Sequence, residues 1–329
     1  MRTKVMRIFA SAVLAVVAPL TAASQTIKTQ ISFPQPVSGI AADPLSNHIY
    51  VVAPSFGGPS DTLAVIDGAS DTVTHNITVP TGAYLPAVNY FTHHIYIASC
   101  NIFADPVPCF VTVVSEEKKR VVATIPITTT AGNGLQGITV DPVTNKIYVA
   151  NASDNVIDII DGWRNTVTGT ISLNGESPFG LTINPFNDRL YVPLGNNQVD
   201  VICASKKTIL ETTPFGSTTA FAAVNWRTGH VFVTDSVFGP STTGVLDKNG
   251  ALLATVPVGD TPFGLDVDPI TDLVFVTSTA LNNVTVINGK SNTVAATVPG
   301  IEANFVAVNF VTEKVYLAGN NGVTVMTEK

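Results

Sequence analysis

The chain has 329 residues, of which 12% are charged and 45% hydrophobic, and its formal net charge is −7. So few charges exclude a coiled coil or a disordered chain, and an acidic balance with no basic cluster beyond Lys118-Lys119-Arg120 excludes binding to nucleic acid through phosphates. What remains, rich in Thr, Val and Asn with 24 Gly and 21 Pro, is the composition of a compact β protein.

The first segment reads as an address. Arg2, Lys4 and Arg7 form a basic head, and an apolar run over residues 8–20 leads into Thr21-Ala22-Ala23-Ser24. The run is too short to span a bilayer, and the small residues after it suit signal-peptidase cleavage. Residues 1–24 are therefore expected to be a removed secretory signal. Residues 25–329 would form an exported domain without membrane insertion, in the periplasm or outside the cell.

From there on one pattern recurs. Its clearest copy is Gly137-Ile-Thr-Val-Asp-Pro-Val-Thr-Asn-Lys-Ile-Tyr-Val-Ala-Asn151. Aligned on the aromatic, the copies fall at Tyr50, Tyr96, Tyr148, Tyr191, Phe232, Phe275 and Tyr316, at intervals of 41 to 52 residues. A period of about 40 to 45 residues is that of a propeller blade. Each copy predicts four short strands. An apolar first strand ends at Asp-Pro or Asn-Pro, and an Ile-Tyr-Val second strand follows. A period-2 third strand such as Val156-Ile-Asp-Ile-Ile160 comes next, and the fourth strand leads into the following copy. The second, fifth and seventh copies carry Asn89-Tyr90, Asn225-Trp226 and Asn309-Phe310 instead, which weakens the turn signature without breaking the period.

The last copy stops after its third strand, Gly322-Val-Thr-Val-Met326. The missing strand is supplied by Thr26-Ile-Lys-Thr-Gln-Ile-Ser32 at the other end. A ring that borrows its outer strand from the opposite terminus removes two sheet edges at once. The expected fold is therefore all-β: a seven-bladed propeller of four-stranded blades, closed by the N-terminal strand.

The tetrapeptides Tyr148-Val-Ala-Asn151, Phe232-Val-Thr-Asp235 and Phe275-Val-Thr-Ser278 resemble the YVTN family of β-propeller repeats over essentially all of residues 25–329. The resemblance implies a fold akin to that of archaeal surface-layer proteins and periplasmic bacterial propellers, more firmly than it implies any activity.

Three cysteines in an exported chain invite pairing. Cys100 and Cys109 flank a short Pro-containing loop and are expected to form a disulfide, with Cys203 a small buried hydrophobe. The functional face of such a ring is expected where the connections between blades and the loops joining second and third strands meet around the channel. Those positions carry Tyr84, Gln136, Phe179, Phe221, Phe263, Asn304 and Phe305. The long loops at 53–61, 99–108 and 236–242 add Phe56, Phe103 and Phe238. An aromatic mouth with amides and almost no charge suits a protein segment or a glycan; alternatively the rings plug the channel or pack between blades.

His48, His94 and His230 share one repeat position with Lys146, Arg189 and Lys314. This is expected to be a solvated strand start on the opposite face, and His93-His94 is expected to point to both sides of a strand. No metal or cofactor is expected: Gly132-Asn-Gly-Leu-Gln-Gly137 precedes a strand rather than a helix, and Ser115-Glu-Glu-Lys118 falls in a turn. Asp266 is the one charged residue at its position in a first strand. It is either a hydrogen-bonded tie to a neighbouring blade or a general base with a raised pKa. The leading expectation is a monomeric, exported binding or scaffold propeller that holds a protein or glycan of the cell envelope. The alternative is a lactonase-like propeller hydrolase with Asp266 in its channel, an analogy at the level of fold.

Overall fold

The computed structural model describes residues 25–328 apart from 103, 105, 106, 131, 132, 218, 237, 238 and 240. The segment 1–24, with its expected cleavage site, lies outside the described residues, as do Phe103 and Phe238.

Alternation of apolar and polar residues makes strands, and the described residues contain no helix. Seven four-stranded antiparallel sheets follow one another, each ordered as in the chain; the third runs Leu135–Asp141, Lys146–Asn151, Val156–Asp161, Thr166–Ser172. The first strands of successive sheets touch in a closed cycle, the seventh returning to the first, so they line a central channel. The last sheet is the exception to chain order. Phe305–Asn309, Lys314–Gly319 and Gly322–Thr327 take Thr26–Ile31 as their fourth strand, and Ile31 pairs with Val323. The seven-bladed propeller and its closure are thus as the repeats required.

The aromatic that marks each repeat sits in the second strand and is fully buried between blades: Tyr50, Tyr96, Tyr148, Tyr191, Phe232, Phe275 and Tyr316. Each such ring stabilises by roughly 2 to 3 kcal/mol through burial alone. Its phenol often reaches the next blade, Tyr96 Oη lying 3.4 Å from Asn145 Oδ1 and Tyr191 Oη donating to Lys248 O at 3.0 Å.

Turn chemistry follows one rule. The residue ending each first strand folds its side-chain oxygen back onto the N–H groups two and three residues on, as Asp43 Oδ1 does to Leu45 and Ser46. Asn89, Asn225 and Asn309 do the same, so the copies without proline keep the turn. The Asx side chain, not the proline, sets it. The residue before each second strand then takes a left-handed conformation, φ being 57° at Asn47, 51° at His93 and 53° at Asn145. His93 is therefore a turn residue, because the strand begins only at His94, and the two histidines are not strand neighbours as expected.

A second recurring feature left no mark in the sequence. Each pairing of third and fourth strands carries a register shift, for example between Ile159 and Ile160 or between Val286 and Ile287. Bulges increase twist, which suits blades radiating from a common axis.

The basic strand-start position differs from expectation. Lys314 is 8% exposed, and its Nζ donates to Gly68 O at 2.6 Å and to both Asp71 oxygens at 2.8 Å. Arg189 likewise reaches Lys248 O and Asn249 Oδ1 of the next blade. At these two positions the side chain faces the neighbouring blade's turns, so Lys314 and Arg189 become straps between blades instead of solvated charges. Cys203 ends its strand half-exposed, beside Asp188 and Ser205, and not buried as expected.

Candidate functional site: a side pocket beside a plugged channel

At the upper mouth, first strands begin with glycine where the neighbouring blade approaches closely. A Cβ on Gly180 would lie 2.2 Å from the Phe221 ring. Larger side chains turn inward beside this position or in place of its glycine in blades 2, 5, 6 and 7. Phe221 and Phe263 meet at a tilt with centroids 4.9 Å apart, and Phe305 meets Phe263 edge-on at 5.4 Å and Tyr84 edge-on at 6.0 Å. The four rings are linked through Phe305, and Phe221 and Phe305 also line a cavity of about 160 Å³ with Ile40, Leu85, Ile138, Leu181 and Val306. Asn304 is used through its backbone, its carbonyl accepting from Gly264 N and Thr277 Oγ1. Phe179 makes none of these ring contacts and lies over Gly195 of its own blade.

To one side of this cluster, blades 1 to 3 enclose a pocket of about 460 Å³. Its walls bring together Phe56, Tyr84 and Gln136 from the sequence-derived set, and add Ile102, Val107, Leu135 and the Cys100–Cys109 disulfide. Asp61 holds the frame, its Oδ1 accepting from Ser55 N at 2.8 Å and its Oδ2 from Gly82 N and Ala83 N at 2.8 and 3.0 Å. A buried carboxylate bonded in this way locks the blade 1 loop onto the connection into blade 2. On the rim, Phe56 is 63% and Ile102 70% exposed. Phe56 also has φ of 39°, a conformation rare for a bulky side chain, so the loop holds its ring outward at a local cost. Most polar groups in the wall are already engaged: Ser38 Oγ faces Ala83 O and Tyr84 O, and Gln136 Nε2 donates to Asn133 O at 2.6 Å.

The lower mouth holds a different pocket, about 240 Å³, around Asp266. Asp266 Oδ1 accepts from Val267 N and Oδ2 from Val308 N of the next blade, both at 2.8 Å. Burial pushes its pKa up to about 6 against the pull of those two bonds. Neither a histidine nor a second carboxylate lines this pocket among the described residues. Its walls are Tyr90, Trp226 and Phe310, the residues standing where other copies have proline, and Trp226 lies 5.4 Å from Phe186 and 6.5 Å from Phe310. One position further on, Leu45, Phe91, Val143, Phe186, Ile270 and Val311 are all exposed, an apolar crown with Arg227 in the fifth blade. The signal for this crown was present in the sequence as the residue after each turn-forming pair, and reading the turns only as punctuation passed over it.

Fold and pockets together define a seven-bladed β-propeller with an aromatic cluster at one mouth and an apolar pocket set off-centre on that face. No protein-family model matches the chain, and no curated protein matches it. Among solved structures it is similar to the Hydrazine Synthase of Kuenenia stuttgartiensis, with a TM-score of 0.73 and 19% identity over 90% of this chain and 97% of that one. At that identity the likeness carries the propeller fold and nothing about activity.

Proposed function

We propose that this protein is an exported binding propeller of the YVTN-repeat type, and that it holds an apolar side group of a protein segment in the pocket between blades 1 and 3. The observation that carries this reading is the frame: a pocket of about 460 Å³ with an outward-held Phe56 and Ile102 at its rim, pinned by Asp61 and a disulfide. Preorganised apolar walls with few convergent polar groups are what small binding sites use. A sugar would bring hydroxyls that need partners, and the wall's polar groups are mostly spent on its own backbone, so an apolar or aromatic side chain fits better than a glycan.

The test is capture from immobilised peptide and glycan libraries by the purified protein, alongside Phe56→Ser. Because Phe56 is exposed, the substitution should leave melting unchanged while weakening capture at least tenfold, about 1.4 kcal/mol. Equal capture by both proteins would move the binding surface elsewhere, and capture of glycans alone would replace the ligand class. The hydrolase alternative rests on Asp266 alone, a carboxylate with both oxygens committed to backbone N–H groups.

A further inference from the structure

Three of the seven seams between blades share one contact. The Asx side chain ending a first strand meets the left-handed turn residue of the next blade. Asn89 Nδ2 donates to Asn145 Oδ1 at 2.7 Å, Asn225 Nδ2 to Asp272 Oδ1 at 2.6 Å and Asn309 Nδ2 to Asn47 Oδ1 at 2.8 Å. Between blades 1 and 2 the same two positions are Asp43 and His93. The residue after the third strand, glycine at Gly68, Gly162 and Gly289, is here Glu116. Three side chains able to bind a metal thus converge between blades 1 and 2; the seam between blades 6 and 7 also gathers acids, Asp268, Glu313 and Glu328, but without a histidine.

We propose that this seam is a binding site for a divalent transition metal of the zinc type, held by Asp43, His93 and Glu116. The donor atoms of the three all lie within 4.8 Å of one another. His93 Nδ1 is 3.2 Å from Asp43 Oδ2 and 3.4 Å from Glu116 Oε2. Ligand bonds of 2.0 to 2.1 Å place the corners of a tetrahedron about 3.3 Å apart, so these two edges already have the required length. Imidazole nitrogen and carboxylate oxygen are both zinc ligand types.

A second observation concerns the burial of one of the three ligands. Glu116 is 8% exposed, and beyond the pairing with His93 its Oε2 accepts no hydrogen bond, the buried Tyr50 Oη facing it being likewise without one. Ser46 Oγ and Thr92 Oγ1, beside the same opening, are also buried without partners. Buried oxygens are rarely left so, and a cation would satisfy the carboxylate directly. The remaining atoms are positioned as supports of a metal site are. His48 Nδ1 bonds Glu116 Oε1, and Asp43 Oδ1 is taken by Leu45 N and Ser46 N, which turns Oδ2 to the seam. An opening of about 380 Å³ lined by Ser46, Thr92, His94 and Lys119 reaches His93, whose side chain is 47% exposed. The site is therefore open on one side, with room for water in the fourth position.

The competing account is a protonated His93 simply paired to the two acids, and metal titration separates the two. The full exported protein, purified without an affinity tag and stripped with chelator, is titrated with zinc chloride by calorimetry, and bound metal is counted after desalting. One ion per chain with micromolar or tighter affinity is expected, together with a rise in melting temperature. His93→Asn introduces the residue that Asn145 supplies between blades 2 and 3 and tolerates the left-handed turn, so it should melt like the metal-free parent while binding at least a hundredfold more weakly. Glu116→Gln should behave likewise. Absence of binding at 100 μM zinc, or unchanged binding in both variants, would overturn the proposal.

Discussion

The closing seam offers the sharpest quantitative test. Lys314 of the last blade buries its ammonium against Gly68 O and both oxygens of Asp71 in the first blade, and Tyr316 Oη adds a bond to Asp71 at 3.2 Å. Lys314→Met keeps the stem's packing but strands the Asp71 carboxylate, whose side chain is 12% exposed, and leaves Gly68 O without that donor. Removing one member of a buried ion pair costs about 3 to 5 kcal/mol, most of it the uncompensated charge. Adding Asp71→Asn removes that charge, and asparagine tolerates the left-handed backbone at this position, where φ is 54°. The double variant should therefore recover at least about 1 kcal/mol over Lys314→Met alone. Urea unfolding of wild type, both single variants and the double variant gives the cycle, and for a ring of this size Lys314→Met should lower the melting temperature by roughly 6 to 10 °C. A loss below about 0.5 kcal/mol, or a double variant worse than the sum of the singles, would refute the view that this contact straps the ring shut.

Further outcomes follow from the same geometry. Deleting residues 25–33 removes the strand that covers Gly322–Thr327 and should lower the melting temperature of the whole ring; melting at the parental temperature would disprove closure by the N-terminal strand. Phe263→Ala takes away a ring packed on both Phe221 and Phe305 and should cost about 2 to 3 kcal/mol in urea unfolding without weakening capture at the side pocket; the reverse pattern would make the rings a binding mouth. Glu328 is buried beside Asp268, and burial first, then that neighbouring acid, push its pKa up to about 8. Because the folded value exceeds the unfolded one, the folded state keeps a proton that the unfolded chain releases. The contribution is complete below about pH 4.5 and is lost as pH rises through 8. Urea midpoints at pH 5, 7 and 9 should therefore fall, and Glu328→Gln should flatten the decline.

Periodicity carried most of the architecture. Seven copies of one strand pattern, an apolar run ended by an Asx turn and a buried aromatic in the second strand, require only local alternation and a fixed period, so they can be read along the chain. The displaced fourth strand at 26–31 was legible for the same reason, because its absence at one end matched its presence at the other. The aromatic positions facing the channel were legible as positions, but not as neighbours. Whether Tyr84, Phe221, Phe263 and Phe305 meet one another or a ligand depends on the ring's diameter and on which blades lack the inward glycine.

What the tertiary structure alone decided lies at the seams. Asp43, His93 and Glu116 come from two blades, and nothing in their separate surroundings announces the meeting. His93 looked like a strand residue until the turn placed it in the left-handed position that asparagine fills elsewhere. Lys314 and Arg189 looked like surface charges because strand starts usually are, and they became straps because at these two positions the side chain faces the neighbouring blade's turns. Local sequence sets backbone conformation and the polarity of each face. Contacts between repeats are set by the angle at which identical units meet, and that angle exists only once the ring has closed.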